Sequence, residues 1–122
     1  MTSDNTWLCY NSVMNKRLRF ATDLVPLVLS GEKVSTWRLW DDKNLSVGDV
    51  VDFIEYGTDK HFATGKLTKV VEKPLGELAE KDKQGHEKFE SDEEMYKTYT
   101  KYYGRTIDKG TLVKLIWFEL VK

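Results

Sequence analysis

Thr22-Asp-Leu-Val-Pro-Leu-Val-Leu-Ser-Gly31 runs directly into Glu32-Lys33-Val-Ser-Thr36-Trp-Arg38. The first ten residues read as a short helix. Thr22 or Asp23 can cap it, and Pro26 is tolerated in a first turn, whose N–H groups have no intrahelical partner. Gly31 fits the left-handed stop after the last turn. Leu24, Val28 and Leu27 would face a core. After the glycine the chain turns extended, and Lys33 to Leu39 reads as a strand. Upstream, Lys16-Arg-Leu-Arg-Phe20 alternates basic and apolar residues as a half-buried strand does. A helix set between two strands is therefore the first structural unit.

Working outward, Asn44–Asp49 is a turn carrying Gly48. Val50–Tyr56 and His61–Lys73 form a hairpin about the turn Gly57–Lys60. Phe62, Leu67, Val70 and Val71 are the apolar members of its second arm, and Gly65 predicts a bulge or a close approach. Pro74 can open a short helix over Leu75–Glu80. Ser91-Asp-Glu-Glu94 is a capping box. It is followed by Met95, Tyr99 and Tyr102 on one helical face, with Gly104 as the stop. Thr111 to Val121 is a last strand with Leu112, Ile116, Phe118 and Leu120 apolar. Residues 1–15 show no period and read as an arm docked by Trp7 or Tyr10. Residues 16–122 read as one domain. About five strands with helices between them predict an α+β fold, a small mixed β-barrel with helices at its ends.

The bulk numbers agree with this. A chain of 122 residues with 40% hydrophobic and 12% aromatic content can bury one modest core. No apolar run approaches the roughly 20 residues that a membrane helix needs, and the polar start carries no secretory pattern. Cys9 is the single cysteine, which excludes an intrachain disulfide and fits a reducing, cytoplasmic location. Cys9, His61 and His86 have no metal-ligand spacing, so neither a metal nor a cofactor is expected. Net charge is −1, without the basic surplus of a protein that grips long nucleic acid by its phosphates. The charge is uneven: Glu72 to Glu94 holds nine acidic and four basic residues. An anionic partner would meet the Lys16–Arg38 side.

Lys33, Thr36 and Arg38 fall within six residues at a helix-to-strand junction. A lysine stripped of water, or beside another cation, gives up its proton more readily and can act as a base. A neighbouring threonine hydroxyl can then serve as a nucleophile, and Arg38 can hold an anion or a carbonyl oxygen. In a regular strand Thr36 and Arg38 share one face. Lys33 joins them only from the turn before the pleat begins, and Ser35 is its partner if the strand starts earlier. The plain alternative is two surface charges and an ordinary β threonine. Trp37, Trp40 and Tyr56 can stack on a base. Trp40, followed by Asp41-Asp42, is the best exposed of these, whereas Trp117 reads as core or core-edge. The tyrosines from Tyr96 to Tyr103 read as packing, and His86 as a solvated loop histidine.

Gly31-x-Lys33-x-x-Thr36-x-Arg38, then Val47-Gly48-Asp49-Val-Val51, Gly85-His-Glu87, Ser91-Asp-Glu-Glu-Met-Tyr96, Tyr102-Tyr-Gly104 and Ile116-Trp-Phe118, together resemble the ASCH (activating signal cointegrator homology) family. The resemblance covers roughly residues 16 to 121. It implies a PUA-like barrel of five or six strands with two or three flanking helices, and a cleft for RNA or a modified nucleoside. One branch of that family removes the acyl group of N4-acetylcytidine. By resemblance its catalytic lysine and threonine map onto Lys33 and Thr36. Its catalytic glutamate maps onto Glu87, with Glu80 and Glu90 as alternatives in the same insert. Arg38, Trp40, Ser35 and Tyr56 are the candidate substrate contacts. A binding module without catalysis, or a protein-docking domain using the acidic insert, are the competing expectations.

Overall fold

The computed structural model describes residues 15–41, 43–86 and 88–121. The candidate catalytic Glu87 and the readings placed on Trp7, Cys9 and Tyr10 lie outside the described residues. Five strands are found among those described: β1 (Lys16–Phe20), β2 (Ser35–Arg38), β3 (Val50–Glu55), β4 (His61–Pro74) and β5 (Leu112–Leu120). They make one sheet in the order β1-β3-β4-β5-β2. β1 and β3 are parallel, and every other pair is antiparallel. The fourteen-residue β4 pairs with both β3 and β5, and its register shifts between Leu67 and Lys69. Such a bulge bends a long strand, and the sheet curls into a half-barrel, an α+β architecture of the PUA-like kind.

The curled sheet has a core on each face. Leu18, Phe20, Val28, Val51, Phe53, Leu67, Ile116 and Phe118 fill the inside of the curl. Trp37, Leu39, Met95, Tyr99, Val113 and Leu115 pack on the outside beneath α2 (Asp92–Tyr103). Strand alternation produces this division. Val113 and Leu115 of β5 face α2, Ile116 and Phe118 face the curl, and the apolar Leu112 at the start of the strand is exposed. Gly65 serves a close approach, because a Cβ there would enter the ring of Phe53.

The helices depart from expectation in detail. Thr22–Leu24 is a 3-10 turn leading into α1 (Val25–Ser30). The residue before it is Ala21 and no side chain caps it, so neither Thr22 nor Asp23 is the cap. Gly31 ends α1 at φ 86° as expected. Two 3-10 turns, Leu75–Glu77 and Glu80–Lys83, replace the expected helix at 75–80. Ser91 caps α2 by accepting the Glu94 N–H at 3.1 Å, but Tyr102 is exposed and Tyr103 packs inward in its place.

The segment between β4 and α2 is pinned by Asp82, which accepts from the Lys73 ammonium and from the Ala79 N–H, each at 2.8 Å. The bond from Lys73 is the main reason that its carboxyl stays below the usual carboxylate range, against a smaller desolvation penalty. A depressed folded pKa stabilises above the unfolded value of about 4 and is lost as pH falls through the folded one. Asp82→Asn is therefore expected to cost about 1–3 kcal/mol at neutral pH, where it leaves Lys73 without its acceptor. The difference from wild type should shrink as pH drops below about 4, as read by urea unfolding across pH.

Candidate functional site

The half-barrel stays open between its edge strands, β1 and β2, and the gap is a cleft of about 310 Å³. Arg19 and Phe20 of β1 and Leu24 line one wall. Lys33, Thr36, Trp37 and Arg38 form the floor, and Tyr99, Tyr102 and Tyr103 of α2 form the other wall with His86 and Phe89.

Local backbone chemistry places the floor. The left-handed Gly31 lets the chain double back, and the Lys33 N–H donates to Leu27 O at 3.0 Å. Lys33 thus sits in the turn before β2 begins, 2% exposed. Thr36, 5% exposed, shares its strand face with Arg38, whose Nε donates to Thr36 Oγ1 at 3.1 Å. The guanidinium lies over the Phe20 ring, 4.8 Å from its centroid, and so spans the gap between the edge strands. Among the described residues no carboxylate lies within hydrogen-bonding or ion-pairing reach of it. Asp41, whose charge acts on it, is bound by Lys114 at 3.1 Å. Burial lowers the Arg38 pKa, opposed by Tyr103, Tyr102 and Asp41. Burial also raises that of Tyr103, whose hydroxyl accepts the Leu39 N–H.

The other sequence candidates are dispersed. Ser35 is buried on the opposite face of β2, its hydroxyl directed at Gln84 O (3.4 Å), and does not line the cleft. Tyr56 is exposed in the turn after β3, also away from it. Trp40 is 47% exposed and lines an adjoining groove with Arg38 and Lys114. It stands at φ 52°, edge-on to Tyr103 and covered by Arg105 at 4.4 Å. Glu80 and Glu90 line a second cavity beneath the insert. His86 is not solvated: it is buried and stacked on Trp37, ring centroids 3.8 Å apart and 13° from parallel. Sequence reading missed Phe20, Phe89, Tyr99 and Tyr103 as cleft walls. The run Tyr99–Tyr103 was visible, but nothing in it says that its packing face also borders a cleft.

No metal-binding group of three or more His, Cys, Asp or Glu occurs among the described residues. Nor, among them, is any helix long and apolar enough to cross a membrane.

The crystal structure of the ASCH domain from Lactobacillus crispatus is similar at a TM-score of 0.62, covering 80% of this chain and 70% of that one at 17% identity. The chain has the ASCH-domain fold. The ASCH structure from Zymomonas mobilis agrees, with a TM-score of 0.62, 10% identity, and coverage of 84% of this chain and 65% of that one. A crystal structure of an Enterococcus faecalis protein of family DUF984 has a TM-score of 0.73 at 21% identity, covering 89% of this chain and 81% of that one. No family model and no curated protein matches the sequence. The likeness is thus one of fold.

Proposed function

We propose that the cleft binds a nucleoside and hydrolyses the amide of an N4-acylated cytidine. The observation that carries this reading is that Lys33 and Thr36, both almost fully buried, line one small aromatic-walled cleft with Arg38. Its volume is near the lower end of small-molecule pockets, about 300–1,000 Å³. That suits one nucleoside better than a strand of RNA.

Lys33 takes the proton of Thr36, and Oγ1 attacks the acyl carbon. The Arg38 guanidinium, whose Nε–H reaches Oγ1 before reaction, stabilises the negative charge that develops on the acyl oxygen. The C–N bond then breaks, and the cytidine amine takes a proton from the insert carboxyl assigned to Glu87. Water hydrolyses the threonine ester, releasing the carboxylate and restoring the hydroxyl. The test is incubation of the purified protein with N4-acetylcytidine and chromatography of the products. Cytidine should form at a rate insensitive to salt, because the substrate is neutral. If no cytidine formed from acetyl or longer acyl substrates, hydrolysis would be excluded.

One observation favours a second reading, an RNA-binding module: the exposed Trp40 beside Arg105, next to the cleft. That reading requires affinity for single-stranded RNA that falls steeply between two salt concentrations.

A further inference from the structure

Trp37 carries a feature that the hydrolytic scheme does not use. It is 4% exposed, and its indole Nε1–H is buried with no hydrogen-bond acceptor among the described residues. Buried donors are nearly always paired, so one left unpaired calls for a reason. Trp37 also borders two cavities. One is the cleft; the other is a chamber of about 410 Å³ whose apolar lining is Trp37, Phe89 and Met95. The ring is held in place by His86 on one face and by its position in β2, paired with Leu115. Residues 84–91, which supply His86 and Phe89, contain no helix or strand among those described, and they are tied to β2 and its approach through Gln84 and Gly85.

We propose that Trp37 is a specificity-determining residue: its indole N–H donates to a carbonyl oxygen of the bound ligand at the wall between cleft and chamber, once Phe89 shifts to admit it while His86 stays stacked on the ring. The inference rests on the reading of the cleft as a nucleoside site and adds the group by which the ligand is chosen. A cytosine O2 or an acyl carbonyl satisfies the donor. An analogue lacking an acceptor there leaves it unpaired in a dry site, and such sites discriminate strongly. Neither Lys33 nor Thr36 can supply this selection, because both are committed to the reacting atoms.

The experiment titrates the full chain with cytidine, N4-acetylcytidine and a 2-deoxo analogue of cytidine. It follows affinity by calorimetry and the ¹H–¹⁵N indole resonance of Trp37 by NMR, assigned from its loss in Trp37→Phe. The expected result is a downfield shift of that resonance with the carbonyl-bearing ligands. Trp37→Phe should bind them about tenfold more weakly, the value of one hydrogen bond. The NMR readout on the wild type stands even if Trp37→Phe packs poorly. Binding with an unmoved indole resonance overturns the assignment. Binding with a moved resonance but no turnover upholds it and removes hydrolysis alone. Absence of binding by all three probes overturns both.

Discussion

Thr36→Val is expected to abolish the release of cytidine from N4-acetylcytidine, while Thr36→Ser retains it within about tenfold. Valine keeps the branched shape that β2 accommodates and removes only the hydroxyl. Arg38 Nε then loses the acceptor it has at 3.1 Å, so a stability loss of about 1–3 kcal/mol should accompany the loss of activity. Serine restores both the acceptor and the nucleophile, which separates chemistry from packing. Lys33→Met is the companion variant. It keeps an unbranched side chain one atom shorter, without the amine, at a nearly fully buried position, and turnover should fall by about 10²–10⁴, the usual worth of a positioned base. Because base and nucleophile act as one unit, the double variant should be no worse than Thr36→Val alone. Full turnover by Thr36→Val would show instead that water attacks the amide directly. Additive losses would show that Lys33 acts in binding rather than on Thr36.

The fold was legible because its signals are local. Gly31 and Gly104 stop helices, Ser91 caps one, and the hairpin of β3 and β4 follows from two β runs about Gly57. The placing of Lys33 was legible as a condition: it had to lie in the turn before the pleat, and it does. What escaped was decided by tertiary packing. A nine-residue strand that serves two cores on opposite faces does not show one apolar period. Leu112 stands among its apolar members by sequence and is exposed, while Val113 and Leu115, which sequence reading did not single out, are buried. His86 looked solvated because nothing local reveals that a loop histidine will stack on a tryptophan forty-nine positions earlier. Trp37 offers a base-stacking ring by sequence alone, but in the fold that ring is already covered by His86. The dispersal of Ser35 and Tyr56 has the same origin: closeness in sequence to Thr36 puts Ser35 on the wrong face, and Tyr56 belongs to the far turn of the hairpin.

Gly85→Ala is expected to disable the cleft without touching a residue that lines it. Gly85 stands at φ 78°, and a Cβ there would run into Cγ2 of Val34. Its carbonyl accepts the N–H groups of Val34 at 2.8 Å and Ser35 at 3.1 Å. These two bonds dock the insert onto the segment between Lys33 and Thr36. Alanine adds the left-handed penalty, about 1–2 kcal/mol, to an overpacking cost of about 1–3 kcal/mol. The carbonyl must then move away from Val34 and Ser35, taking His86 off Trp37. Activity should drop about 100-fold, since a displacement of about 1 Å is enough for that, and the melting temperature should fall by several degrees. Gly57→Ala isolates the cause. It stands at φ 94° with nothing within 4 Å of a new Cβ, in a turn that does not itself line the cleft. It should show the backbone penalty alone, with turnover unchanged. Equal loss of activity in both variants would mean that global stability limits turnover. Loss in Gly85→Ala alone would mean that docking of the insert onto the β2 turn holds the reacting groups in place, and that the loop around His86 is part of the site.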